Sequence, residues 1–499
     1  MCQHRPTITP WLLSAILVSC LLTNTTARAD EQTAPPPEPA STAPDSQTGA
    51  PLYDQLYRPQ FHFTAARNWL NDPNGLVFYK GEYHLFFQHN PIGIAWGNMT
   101  WGHAISTDLV HWRQLPNALE PDALGTMFSG SAVVDWPNSA GFQQGTEKTL
   151  VAIYTAAGGT SDASKGQPFT QCIAYSNDRG RSWTKYAGNP VLPHLVGSNR
   201  DPKVVWHQPS RHWIMALFMD GNTFALFNSP DLKQWNRLHD INMPDSSECP
   251  DFFEMPVTGE PGSRKWVLTA ANGRYFVGTF DGQRFTPETG PHPSDLGANF
   301  YAVQTYSDIP PTDDRRIQIA WMAGAKYPDM PFNQQMSFPC ELTLHRSPEG
   351  LRLRRQPVRE IERLYTPPHN LASQTLHPGQ NPLADLQGDL FDIQAQWNPQ
   401  EAETCGFVIR GERVTYDVKQ HQLTCLGRSA ELQPIEGKIE LRILVDRSSI
   451  EIFANAGRVS MSSCFLPKPE DHSLAAFATG GPVQMTSLRV HRLRSAWQQ

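Results

Sequence analysis

Short runs of alternating apolar and polar residues, broken by turn formers, recur along most of this chain and predict strands rather than helices. Leu76-Val77-Phe78-Tyr79, then Lys80-Gly81-Glu82, then Tyr83-His84-Leu85-Phe86-Phe87 predicts a β-hairpin. Far downstream, Ile439, Leu441, Ile443 and Val445 alternate with polar residues, Asp446-Arg447-Ser448 supplies a turn, and Ile450 and Ile452 resume the alternation. That pattern predicts a second hairpin with one buried face, and Leu488-Arg489-Val490 a final strand. Between them, Ile317-Gln318-Ile319-Ala320-Trp321-Met322 reads as a strand, Val358, Ile361 and Leu364 recur at helical spacing, and residues 367–382 are Pro-rich and weakly patterned.

A weak internal repeat overlies this pattern. Ser106-Thr107-Asp108-Leu109-Val110-His111-Trp112, Ser176-Asn177-Asp178-Arg179-Gly180-Arg181-Ser182-Trp183 and Ser229-Pro230-Asp231-Leu232-Lys233-Gln234-Trp235 share a Ser-x-Asp start and a Trp end. Phe280-Asp281-Gly282-Gln283-Arg284-Phe285 is a degenerate fourth copy. Each predicts a turn in which Ser and Asp side chains bind backbone amides, followed by a strand whose Trp packs into the next sheet. Spacing of this order suits the four-stranded blades of a propeller, although unrelated polar turns in a β-sandwich would look similar.

Composition supports the mainly-β reading. The chain has 499 residues, enough for two domains, and its 43 prolines and 35 glycines fit many short strands and turns. A net charge of −7 supplies no basic field for nucleic acid or an anionic membrane, so a neutral partner such as a sugar fits better. Arg5, the apolar residues 11–22 and Ala27-Arg28-Ala29 form an export signal over residues 1–29. Leu17-Val18-Ser19-Cys20 offers an alternative, lipoprotein-type cleavage that would leave Cys20 lipidated. A Pro/Ala-rich spacer follows at 30–52, and no later stretch is long and apolar enough to span a bilayer. The protein is therefore expected outside the cytoplasm, secreted, periplasmic or lipid-anchored. Beyond the signal, Cys172, Cys249, Cys340, Cys405, Cys425 and Cys464 are too sparse for a disulfide scaffold and form no CxxC pair. Cys405 and Cys425 are either a bridge or two isolated buried thiols. With no HExxH, calcium loop or Gly-rich phosphate cradle, neither a metal nor an organic cofactor is expected.

Three acidic segments carry the candidate chemistry: Trp69-Leu70-Asn71-Asp72-Pro73-Asn74-Gly75, Arg200-Asp201-Pro202 and Glu248-Cys249-Pro250. Asn71 to Gly75 alone has the composition of a turn. Pro73 and Pro202, however, exclude Asp72 and Asp201 from the helical region and predict extended backbone at both acids. Trp69 offers a flat apolar face on which a sugar ring can stack. Two carboxylates brought together are the minimum for cleaving a glycosidic bond.

The ensemble resembles glycoside hydrolase family 32, the β-fructofuranosidases. The resemblance rests on Tyr57-Arg58-Pro59-Gln60-Phe61-His62-Phe63, the WLNDPNG segment, Phe87-Gln88-His89-Asn90-Pro91, Trp96-Gly97-Asn98-Met99-Thr100-Trp101-Gly102-His103, Phe128-Ser129-Gly130-Ser131, the RDP and ECP segments, and residues 441–453. It implies an all-β chain: a five-bladed β-propeller over 53–355, a linker with a short helix over 356–369, and a C-terminal β-sandwich over 370–499. It further implies Asp72 as nucleophile, Glu248 as general acid/base and Asp201 as transition-state stabiliser, with Trp69, Asn71, Gln88, Trp96, Phe128, Ser129, Arg200 and Trp321 contacting sugar. Repulsion between neighbouring carboxylates is expected to raise one pKa and so separate acid from nucleophile. The implied activity is retaining exo-hydrolysis of terminal β-fructofuranosyl units from levan or inulin, and from sucrose. An endo-fructanase, a fructosyltransferase and a non-catalytic fructan-binding protein are the rival readings. Leu70, Cys340 and Ala323-Gly324-Ala325 depart from the family's usual pattern, and the last two bear on the outer subsites.

Overall fold

The computed structural model describes residues 52–399 and 401–497. The expected signal at 1–29, with its Cys20 alternative, and nearly all of the 30–52 spacer lie outside the described residues. Among the described residues, strands dominate and the helical segments are two short 3-10 turns. Five sheets fill the N-terminal part. They begin with Asn68–Tyr79, Thr126–Val134, Arg200–His207, Asp251–Pro256 and Tyr301–Thr305, and four of them run outward through consecutive antiparallel strands. The fifth sheet departs from strict chain order: Phe332–Asn333 leaves it to pair in parallel with Asn68–Trp69 of the first sheet. The first strands touch one another in sequence, and Tyr301–Thr305 returns to Asn68–Tyr79. The sheets thus surround a common axis as a propeller.

Polar bonds lock the inner strands together. Gln304 accepts from the Leu76 N–H at 3.0 Å and donates to Gly130 O at 3.0 Å, while Ser131 Oγ donates to Pro202 O at 2.9 Å. Lys203 and Asp251, both buried, pair at 3.4 Å, and each also bonds the Thr305 backbone. Burying these groups is tolerable because each has a partner of opposite character.

The Ser-x-Asp-Trp repeat forms one recurring turn. Asp108 accepts the N–H groups of Val110 and His111, Asp178 that of Ser182, and Asp231 those of Lys233 and Gln234. The indoles of Trp112, Trp183 and Trp235 each donate to the carbonyl three residues back. The residue after each Asp is left-handed, with φ of 64° at Leu109, 59° at Arg179 and 65° at Leu232. The degenerate copy keeps that turn: Asp281 accepts from Gln283 and Arg284, and Gly282 at φ 94° takes the left-handed position without steric cost. One detail differs from expectation. Trp183 packs edge-on against Phe86 of the preceding sheet, and Trp235 against the cluster holding Val133 and Val151, rather than toward the following sheet.

Arg359–Leu364 is a 3-10 helix, in keeping with the three-residue spacing of Val358, Ile361 and Leu364, all buried. The Pro-rich stretch expected to lack pattern holds two short strands, His369–Leu371 and Gln374–Leu376, both paired with Val483–Arg492. The C-terminal part is a β-sandwich of a seven-stranded and a five-stranded sheet. Ile439–Asp446 and Ser449–Ala454 pair as the predicted hairpin, and Ile439, Leu441, Ile443 and Val445 face the sandwich core. Leu444 and Phe453 point the other way and join Phe61 and Phe338 in the propeller's core. The six cysteines among the described residues are all free, Cys405 and Cys425 as buried thiols.

Candidate active site

Each sheet of the ring contributes to one place. Asp72 lies on the first strand of the first sheet, Phe128 and Ser129 on that of the second, and Arg200 and Asp201 open the third. Glu248 and Cys249 immediately precede the fourth, and Tyr301 opens the fifth. They converge on a cavity of about 180 Å3, lined also by Asn71, Gln88, Trp96 and Trp321. Asp72 and Glu248, 176 positions apart by number (248 − 72), therefore share one pocket.

The Asn71–Gly75 segment is a bulged strand rather than a turn, with register breaks on both sides of Pro73-Asn74 and Gly75 at φ 53°. The bulge re-aims Asp72. Its Oδ2 accepts from Ser129 Oγ at 2.5 Å and its Oδ1 from Asn71 Nδ2 at 3.0 Å, and Asn71 is in turn held by the Trp69 indole at 2.8 Å. Trp69 stands edge-on to Trp321, and its indole braces Asn71.

Asp201 departs from expectation in its backbone. Its φ is 65°, left-handed rather than extended, and Glu248 and Cys249 follow with 57° and 40°. Such positions cost about 1–3 kcal/mol each and persist only where neighbours over-determine them. Here the Asp201 N–H donates to Thr155 Oγ1 at 2.9 Å, Pro202 O accepts from Ser131, and Asp201 Oδ2 takes the Cys249 N–H at 3.0 Å. Glu248 is gripped on both oxygens, by the Arg200 guanidinium on Oε1 and by Tyr301 Oη at 2.5 Å on Oε2.

Burial, more than mutual repulsion, raises the carboxyl pKa values here. Asp72 is shifted upward by loss of solvent, opposed by the Ser129 and Asn71 donors, with a smaller upward push from Glu248. Asp201 is pushed up to about 7, first by burial and then by the Asp72 and Glu248 charges, against Arg200 and the Cys249 N–H. The Cys249 thiol, 3.5 Å from Asp201 and 3.6 Å from Asp72, is driven far above its ordinary value by burial and by those charges, and stays protonated.

A folded-state pKa above the unfolded one means that Asp201 begins to destabilise the fold as pH rises from about 4 and does so fully above about 7. Asp201→Asn is expected to be more stable than the parent at pH 8, by about 2–4 kcal/mol at about 1.4 kcal/mol per pKa unit, and to lose that advantage at pH 4. Urea unfolding midpoints at the two pH values check this. An Asn variant less stable at both contradicts the burial account.

Ten of the eleven expected site residues line the pocket, and Trp69 supports one of them. Cys249 and Tyr301 line it unforeseen. Cys340 is buried elsewhere, its sulfur 3.8 Å from an Arg355 guanidinium nitrogen, and does not touch the cavity. Among the described residues no His, Cys, Asp and Glu cluster could hold a metal ion, and no helix is long and apolar enough to cross a membrane.

Residues 62–357 match the N-terminal domain of glycosyl hydrolases family 32, and residues 360–492 the C-terminal domain of that family. The chain belongs to glycoside hydrolase family 32 and is a glycoside hydrolase. It is 42% identical over 493 residues to a levanase of Bacillus subtilis (strain 168), spanning 89% of this chain and 72% of that one. It is 32% identical over 520 residues to an extracellular exo-inulinase of Aspergillus niger, spanning 89% and 96%. The crystal structure of exo-inulinase from Aspergillus awamori is similar with a TM-score of 0.81 at 30% identity, covering 89% of this chain and 100% of the other.

Proposed function

We propose that the protein is a retaining exo-β-fructosidase that releases terminal fructose from fructans such as levan and inulin, and that it also cleaves sucrose. The observation that carries this is a single pocket of about 180 Å3 lined by Asp72, Asp201 and Glu248, room for one sugar unit rather than a chain. The names of the relatives, a levanase and an exo-inulinase, supply the sugar class.

In this reading Asp72 attacks the anomeric carbon while Glu248 gives its proton to the departing oxygen, leaving a fructosyl ester on Asp72. Water then attacks that ester as Glu248 takes a proton back, and fructose leaves with its original configuration. Ser129 and Asn71 favour the ionised nucleophile against the cost of burial. Asp201 binds fructose hydroxyls and shares the positive charge of the transition state. Gln88 supports the reading independently: its Nε2 is buried in the pocket wall without a hydrogen-bond partner, a donor that a sugar hydroxyl would satisfy. Trp96, Phe128 and Trp321 give the ring apolar walls, with Trp96 edge-on to Phe128 at 6.0 Å. The segment at 1–29 acts as an export signal in this account, placing the enzyme outside the cytoplasm.

Time-resolved chromatography of digests of levan, inulin and sucrose is the test. Fructose is expected from the first time point, as the β-anomer by NMR before mutarotation. Oligosaccharides as first products would contradict exo action, α-fructose would contradict retention, and inertness toward all three sugars would remove the fructosidase reading.

A further inference from the structure

Val459–Cys464 is the outermost strand of the seven-stranded sandwich sheet, paired on its inner side with Ser449–Ala454. An edge strand presents unpaired backbone groups along its outer side, and here a propeller segment takes them up. Leu296 and Asn299 donate their N–H groups to Ser460 O at 2.8 Å and Ser462 O at 3.0 Å, and the Ala298 N–H donates to Ser463 Oγ at 3.1 Å. In the other direction the Ser462 N–H donates to Asp295 Oδ1 at 3.0 Å and the Cys464 N–H to Asn299 Oδ1 at 2.8 Å. Residues 295–299 therefore lie along the sandwich like an added strand.

The fit is close. A Cβ on Gly297 would stand 2.1 Å from Ser462 O and 2.3 Å from Ser462 N, so glycine is what lets the two backbones come this near. Asp295, its side chain fully buried, also accepts from the Gly297 N–H at 2.8 Å and from Arg355 Nη1 at 2.6 Å. The Arg355 guanidinium in turn lies over the Phe300 ring, 4.2 Å from its centroid. Each of these contacts fixes the chain just ahead of Tyr301. Tyr301 itself pairs with Trp321, but the ladder then breaks before Gln304, and Ala302 is left-handed at φ 52°. With the propeller's own pairing interrupted there, the approach of the Tyr301 hydroxyl to Glu248 depends on the N-terminal side, which the sandwich holds.

We propose that the edge of the sandwich positions the general acid. Val459–Cys464 holds residues 295–299, these hold Tyr301, and the Tyr301 hydroxyl holds Glu248 Oε2. Asp295, Gly297 and Asn299 are positioning residues, and none of them lines the catalytic pocket. The inference rests on Glu248 being the acid of the fructosidase reading above.

Gly297→Ala and Asn299→Ala test it through the leaving group. Sucrose releases a sugar oxygen that must be protonated as its bond breaks, whereas p-nitrophenyl β-fructofuranoside releases a phenolate that needs little help from an acid. A displaced acid harms sucrose selectively, and a mere loss of folded protein harms both alike. The ratio of kcat/KM for sucrose to that for the aryl fructoside is expected to fall about tenfold in Gly297→Ala and by less in Asn299→Ala. Tyr301→Phe should lower the same ratio, and Gly297→Ala added to it should lower it no further, because both act through one contact. Equal losses on the two substrates, or effects that multiply in the double variant, overturn the inference. If Gly297→Ala does not fold, Asn299→Ala, which introduces no clash, decides alone: a lowered ratio supports the inference and an unchanged one overturns it. A parent enzyme inert toward both substrates, or a Glu248→Gln variant that loses both alike, would instead remove the fructosidase reading itself, and the two failures are distinct.

Discussion

Asp72→Asn is expected to lower turnover on every accepted substrate by several orders of magnitude, on the order of 10⁵-fold, the scale seen when a nucleophile is deleted. The replacement keeps size and shape but removes the negative charge that, in the proposed mechanism, attacks carbon. Its surroundings predict a clean result. Ser129 Oγ can still donate to the amide oxygen, and the bulge that aims residue 72 is fixed by backbone pairing with the Glu82–Asn90 strand rather than by the carboxylate. The amide also escapes the burial cost that raises the Asp72 pKa, so stability should hold or improve. Reducing-sugar release together with urea unfolding separates the two effects. Retention of more than about a hundredth of parental turnover would take Asp72 out of the nucleophile role.

The second large effect concerns stability. His62 lies fully buried between two carboxylates of the sandwich, Nδ1 2.8 Å from Asp446 Oδ2 and Nε2 2.8 Å from Glu451 Oε2. Burial alone would lower its pKa, but the two acids outweigh that and lift it to about 9, while both carboxyls are held below their ordinary values by His62. Asp446 additionally caps the N–H groups of Gln60, Phe61 and His62, and Glu451 that of Phe338. Removing the imidazolium leaves two buried charges without their counter-ion, so His62→Ala is expected to cost about 3–5 kcal/mol. The signs fix its pH dependence. The histidine's contribution is complete below about 6.5 and fades as pH rises through about 9, and that of the acids fades as pH falls below their ordinary range. The parent and variant urea midpoints should therefore differ most near pH 6 and converge by pH 10. A constant difference across that range would contradict the ion-pair account.

Much of this was legible in the chain because it is local. Alternation marked the hairpins at 76–87 and 439–452, and Ser-x-Asp-Trp marked turns whose hydrogen bonds span only a few residues. The acidic segments were found through the prolines beside them, although Pro202 indicated the wrong backbone: a pre-proline residue is normally extended, and bonds to Thr155 and Cys249 from elsewhere in the ring override that preference. Tyr301 was missed because nothing in Asn299-Phe300-Tyr301-Ala302 looks chemical; its role arises when the fifth sheet brings it against Glu248. The one available signal was positional, since Tyr301, like Arg200, is the first residue of an inner strand. That the Trp69 indole braces Asn71 was not legible, since adjacency to Asp72 in sequence does not say on which side of Asn71 the indole falls.

The groups of the pocket come from the first strands of different sheets or, for Glu248, from the segment just before one, and the last of them, Tyr301, arrives only when the final sheet meets the first. On the proposed mechanism, the complete pocket is thus a property of the closed ring. A product cut short before residue 300 would hold Asp72, Asp201 and Glu248 and yet lack the Tyr301 hydroxyl that steadies Glu248.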